Sequence, residues 1–76
     1  MPKTVIEWEI IKLVRAIRTK EKKSQRDLAK LLMVSHGYIG QIEMENSLSM
    51  YSYDQLNEIA KYLNCSIKDF MPEDPI

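Results

Sequence analysis

From Val5 to Lys20 the apolar residues return every three or four positions. Ile6, Ile10, Leu13, Val14 and Ile17 fall within one arc of about 100° at 3.6 residues per turn, which predicts a helix with a core-facing stripe. Leu28, Ala29, Leu31 and Leu32 give a second helix its inner face, and Ile39 with Ile42 serve a third. Tyr53, Leu56, Ile59, Ala60 and Leu63 line a fourth, while Ile67 and Phe70 anchor a fifth before Pro72 stops it. The starts are marked as clearly as the stripes. Thr4–Glu7, Ser24–Asp27, Ser52–Gln55 and Ser66–Asp69 each place a hydroxyl three residues before an acceptor, the spacing of a capping box. Ser35 opens the third helix without completing a box, because Tyr38 follows at that spacing. No stretch alternates with period two, and no repeat, linker or low-complexity segment interrupts the pattern. The expectation is an all-α fold, five short helices around one core.

The chain has 76 residues, one domain's worth, in which residues 4–9 extend the first helix and residues 72–76 form a short acidic tail. Such a domain buries only about 60% of its unfolded surface, which leaves little room for an elaborate catalytic cleft. A single cysteine, Cys65, excludes an intrachain disulfide, and with a single histidine, His36, it excludes a zinc site. No cofactor motif, paired carboxylates, nucleophile–base set or phosphate loop is present, so the expectation is not an enzyme. No apolar run approaches the roughly 18 residues of a membrane span and no signal peptide is seen, which points to a cytoplasmic domain.

Charge changes this picture. The formal net charge is zero, yet residues 12–30 carry a balance of +6 and residues 31–76 a balance of −5. The basic stretch holds Lys12, Arg15, Arg18, Lys20, Lys22, Lys23, Arg26 and Lys30 against Glu21 and Asp27. Segregation of this kind makes one face basic, although a solvated helix carries the same signature. The stretch Gln25 to Met44 decides between them. Two helices are joined by a few residues around Met33-Val34-Ser35, with small Ala29 where they cross. Leu28, Leu32, Val34, Ile39 and Ile42 wedge the two together at a steep angle. That is the helix-turn-helix pattern, whose second helix enters the DNA major groove.

SQRDLAKLLMVSHGYIGQIE, followed by LNEIAKYLNCSIKDFM, resembles the lambda-repressor-like (XRE) helix-turn-helix domains over roughly residues 10–71. The resemblance rests on the Ser-Gln opening of helix two, its Leu-Ala pair, Tyr-Ile and Ile-Glu in helix three, and Ile-Ala…Leu in helix four. Three positions depart from the family pattern. Met33 replaces the glycine usual at the first turn residue, where a left-handed backbone costs a side chain roughly 1 kcal/mol. Glu45-Asn46-Ser47 replaces the glycine and basic residues that often follow helix three, and Lys23 replaces an apolar residue before Ser-Gln.

Projected about its axis, helix three turns Tyr38, Ile39 and Ile42 toward the core and His36, Gly37, Gly40, Gln41 and Met44 toward the groove. Gln41 suits a bidentate pair with adenine, His36 a guanine N7 or a phosphate, and Met44 a thymine methyl. Both of the chain's glycines lie in this helix, where close approach of another surface is their physical benefit. Gln25 opens helix two at an end that attracts phosphate, with Ser24, Ser35, Lys22, Lys23 and Arg26 as further phosphate candidates. The resemblance implies that Gln25 touches the DNA backbone and that Arg18 and Glu43 form a structural ion pair. The functional expectation is a transcriptional regulator, a repressor dimer on a palindromic operator in double-stranded DNA. Val5, Trp8 and Ile11 are the candidate dimer surface, with the tail or a loop folded over Trp8 as the alternative. The competing reading is a protein-interaction module on the same fold, including an antitoxin-like partner of a toxin, favoured by the absence of Lys and Arg from Ser35 to Met50.

Overall fold

The computed structural model describes residues 3–76. Four α-helices follow in order: α1 (Val5–Lys20), α2 (Gln25–Leu32), α3 (His36–Ile42) and α4 (Tyr53–Leu63). The expected fifth helix is one turn of 3-10 helix, Ile67–Phe70. Its four residues are too few for α-helical hydrogen bonding to propagate, so the tighter turn wins. No strand occurs among the described residues, and no helix is long and apolar enough to cross a membrane.

Each element begins at a hydroxyl. Thr4, Ser24 and Ser52 accept from the third amide of α1, α2 and α4, and Glu7, Asp27 and Gln55 accept back from the cap's own amide. Ser35 caps α3 alone, accepting from the Tyr38 amide at 3.1 Å. The far ends follow one rule as well. After α1, α2 and α4 the chain turns through a left-handed residue, Lys22 (φ 60°), Met33 (φ 58°) and Asn64 (φ 56°). In each case the next amide reaches back five residues: Lys23 to Arg18, Val34 to Ala29 and Cys65 to Ala60, all at 3.0 Å. This is the Schellman arrangement, which normally recruits glycine. None of the three is glycine.

Ile10, Ile11, Val14, Leu28, Ile39, Ile42, Tyr51, Leu56, Ile59, Leu63 and Phe70 form the core, with Ala29 and Ala60 at the close helix crossings. α2 packs on both α3 and α4, and the 3-10 turn lays Phe70 against α1. The buried stripe of α1 is Ile10, Ile11, Val14 and Arg18. That is a rotation of about 60° from the stripe of isoleucines and leucine, at 100° per residue. Ile6 is exposed, Leu13 and Ile17 are half-buried, and Ile11 is 0% exposed. The cause is Arg18, a charged residue that hydrophobic patterning leaves out but that lies buried beside Glu43. Two further core positions move. Tyr53, first residue of α4, is 86% exposed, and Tyr51 before the Ser52 cap is buried with Leu56 as a hydrophobic staple. Ile67 likewise faces out, leaving Phe70 as the anchor of the last turn.

Candidate nucleic-acid interface

Ile39 and Ile42 fix the roll of α3 by inserting into the core. With that side committed, His36, Gly37, Gln41 and Met44 are exposed and Gly40 is half-buried. At 3.6 residues per turn Gly37 and Gln41 share the arc opposite the isoleucines, with Gly40 at its margin, whereas Met44, expected on the same arc, lies past the Glu43 cap that ends α3. His36 lies to one side, above Gly40 and Glu43, on the flank of α3 turned toward α2. A methyl at Gly37 would meet nothing within 4 Å, and one at Gly40 would meet only the Gln25 Oε1, at 3.6 Å. The protein itself therefore asks for glycine at neither place.

α3 is tied to the rest of the domain through Glu43. Arg18 on α1 donates from Nε to Glu43 Oε2 and from Nη2 to Oε1, both at 2.9 Å. Its remaining terminal nitrogen donates to the Lys23 carbonyl at 2.7 Å. Gln25, at the start of α2, donates from Nε2 to the same Glu43 Oε1 at 3.0 Å. One carboxylate thus joins three helices. The planar fork of arginine matches it in two parallel bonds, which a lysine would not. The second amide hydrogen of Gln25 has no partner within the described residues. Tyr51 packs at the edge of this network with no hydrogen-bond partner for its buried hydroxyl. Burial first, then the Glu43 charge, push that phenol well above its ordinary range.

Around the start of α2, Ser24, Lys22 and Arg26 are exposed, as is Ser35 at the start of α3. Lys23 is different: its ammonium stands 5.1 Å from the centre of the Tyr62 ring. That cation–π contact replaces the missing staple before the Ser24 cap and turns the charge toward α4. Asp27 is held below its ordinary value of 3.8 by the Ser24 amide and hydroxyl, so this end of α2 keeps one permanent negative charge.

The surface proposed for self-contact needs correcting. Ile11 belongs to the core, Trp8 is half-buried against it, and only Val5 of the three is exposed. The rotation of α1 described above is the reason.

Lys3 is the residue that sequence reasoning missed. It is 1% exposed, and its Nζ donates to the carbonyls of Met44 at 2.7 Å and Ser47 at 2.8 Å. It thereby closes the loop that leaves α3. Desolvation lowers the pKa of this ammonium, and the charge of Glu7 partly restores it. Nothing in a Lys before a capping threonine signals such a contact, because its acceptors are backbone atoms more than forty residues away.

A family model described as helix-turn-helix matches residues 14–70. No curated protein and no solved structure matches the chain. The matched segment holds the capped pair α2–α3, the Glu43 network and the α4 scaffold beneath them, three quarters of the sequence. The chain belongs to the XRE-type, lambda-repressor-like helix-turn-helix family of DNA-binding regulatory domains.

Proposed function

We propose that this protein is a sequence-specific transcriptional regulator that covers a palindromic operator as a homodimer, and so acts as a repressor. One observation carries the reading: α3 is locked by Ile39, Ile42 and Glu43 while Gly37 and Gln41 stand free on its outer arc and Met44 is exposed just past its end. Gln41 reads an adenine edge in two bonds, and Met44 meets a thymine methyl. Gly37 and Gly40 let the groove wall come close to the backbone. Gln25, Ser24, Ser35, Lys22 and Arg26 set the register on phosphates without reading sequence. Val5, with Ile6 and Tyr53 also exposed, supports the homodimer.

Selection of binding sites from random DNA duplexes tests this. The expected product is an inverted repeat whose half-sites lie about one helical turn apart. Recovery of no enriched sequence would reject DNA reading altogether.

A second reading has its own support. Met33, Leu48 and Met44 are apolar and exposed around the two ends of α3, and no Lys or Arg lies between Ser35 and Met50. Those features suit a protein partner, such as a toxin, docking on the same helix. Binding of that kind survives high salt, whereas phosphate contacts do not.

A further inference from the structure

An open concavity of about 520 Å³ lies between α2 and the first turn of α3. Ala29 and Val34 form its apolar floor, and Arg26, Lys30 and His36 stand around it with Asp27. We propose that Arg26, Lys30 and His36 together hold adjacent phosphodiesters of one strand of a DNA duplex, and that the proton on His36 sets how tightly they are held. The proposal rests on the DNA-binding reading above and adds a site to it.

Four observations lead there. Arg26 and Lys30 are four residues apart on one face of α2, so both chains reach the same space. Neither has an ion-pair partner among the described residues. His36 is on the α2 flank of α3, about 140° from Gln41 at 100° per residue, so it looks into the concavity and not along the reading arc. The charged groups facing it are Arg26, Lys30 and Asp27, all from α2. Asp27 is held ionised by the Ser24 amide at 2.7 Å and cancels one of the two cations. A neutral imidazole therefore leaves a local charge of one, and a protonated imidazole doubles it. Histidine is the residue type whose charge changes between about pH 5 and 8. The arginine fork and the lysine point charge supply the rest of a phosphate cradle.

The test measures dissociation constants for the selected duplex between 50 and 200 mM KCl, at pH 5.5 and pH 8, for the parent, R26Q, K30Q and H36Q. One extra phosphate-neutralising charge steepens the dependence of log affinity on log salt by about 0.9, about threefold across that range. The parent is expected to show this steepening at pH 5.5 relative to pH 8. H36Q should show the shallower slope at both pH values while selecting the same sequence. R26Q and K30Q should each lose about 0.9 of slope at both pH values and keep the pH difference. A changed base preference in H36Q would overturn the proposal by making His36 a base reader. An unchanged slope in K30Q would place the concavity off the DNA, with specific binding otherwise intact. Inorganic phosphate that shifts the His36 ring resonances but leaves DNA binding untouched would assign the site to a free anion and overturn it too. Failure to select any duplex is a separate outcome, and removes the DNA reading itself.

Discussion

The residue with the largest structural consequence is Glu43, because one buried carboxylate serves Arg18 and Gln25 at once. Removing either member of a buried pair strands the other charge, at about 3–5 kcal/mol, whereas an exposed pair contributes about 1 or less. R18A and E43A are each expected to destabilise the domain strongly, and the double variant by much less than their sum. Urea unfolding of the full mutant cycle measures this, and a coupling energy near zero would show that the pair does not tie α1 to α3. Tyr51 offers the opposite case. Its hydroxyl is buried without a partner, so it contributes only a desolvation penalty of about 1–3 kcal/mol. Tyr51→Phe keeps the ring that staples α4 and is expected to raise the melting temperature. A lower melting temperature would mean that the hydroxyl is satisfied in solution.

At the scale of elements, glycine sits where a helix wants a side chain and is missing where a helix end wants glycine. Met33 turns through φ 58° with its side chain 91% exposed, so nothing but conformation is at stake there. Met33→Gly relieves a left-handed side chain, at about 1 kcal/mol. Gly37→Ala and Gly40→Ala each gain about the same in helix propensity. In a domain of this size about 1 kcal/mol moves the melting temperature by about 4–8 °C. All three variants are expected to melt higher. Only the two alanines are expected to bind operator DNA more weakly, through a methyl set against the groove. If G40A binds as well as the parent, the groove wall does not approach that residue. This pattern also shows how far the elements were legible beforehand. Capping hydroxyls and apolar spacing located all four helices, because both are local properties of the chain. The left-handed turn at Met33 was legible by analogy, but those at Lys22 and Asn64 were not. The roll of α1 was misread, because the buried residue that sets it is Arg18, and patterning counts a charge as surface. The outer arc of α3 follows from Ile39 and Ile42 alone, whereas the place of His36 depends on how α2 crosses, which is a tertiary fact.

For the molecule as a whole, α2 packs on its neighbour α3, while α2 on α4 and α1 on the 3-10 turn join elements distant in the chain. The contact between neighbours assembles early and quickly, because little chain has to be ordered before it forms. The bonds from Lys3 are of another kind, spanning 41 and 44 residues. They join the segment before α1 to the exit of α3, and that juncture closes only once α1, α2 and α3 are in place. Loss of an interaction absent from the folding transition state leaves the folding rate alone and speeds unfolding. Lys3→Met leaves the Ser47 carbonyl without its donor, whereas the Met44 carbonyl keeps the Ser47 amide, a loss of about 1–3 kcal/mol. Stopped-flow chevrons are expected to show the unfolding arm raised about fivefold or more, with the refolding arm superimposed on the parent's. A slowed refolding arm would place this contact in the nucleus instead. The buried ammonium is thus expected to act as a latch on lifetime, governing how long the domain stays shut once formed and not how fast it forms.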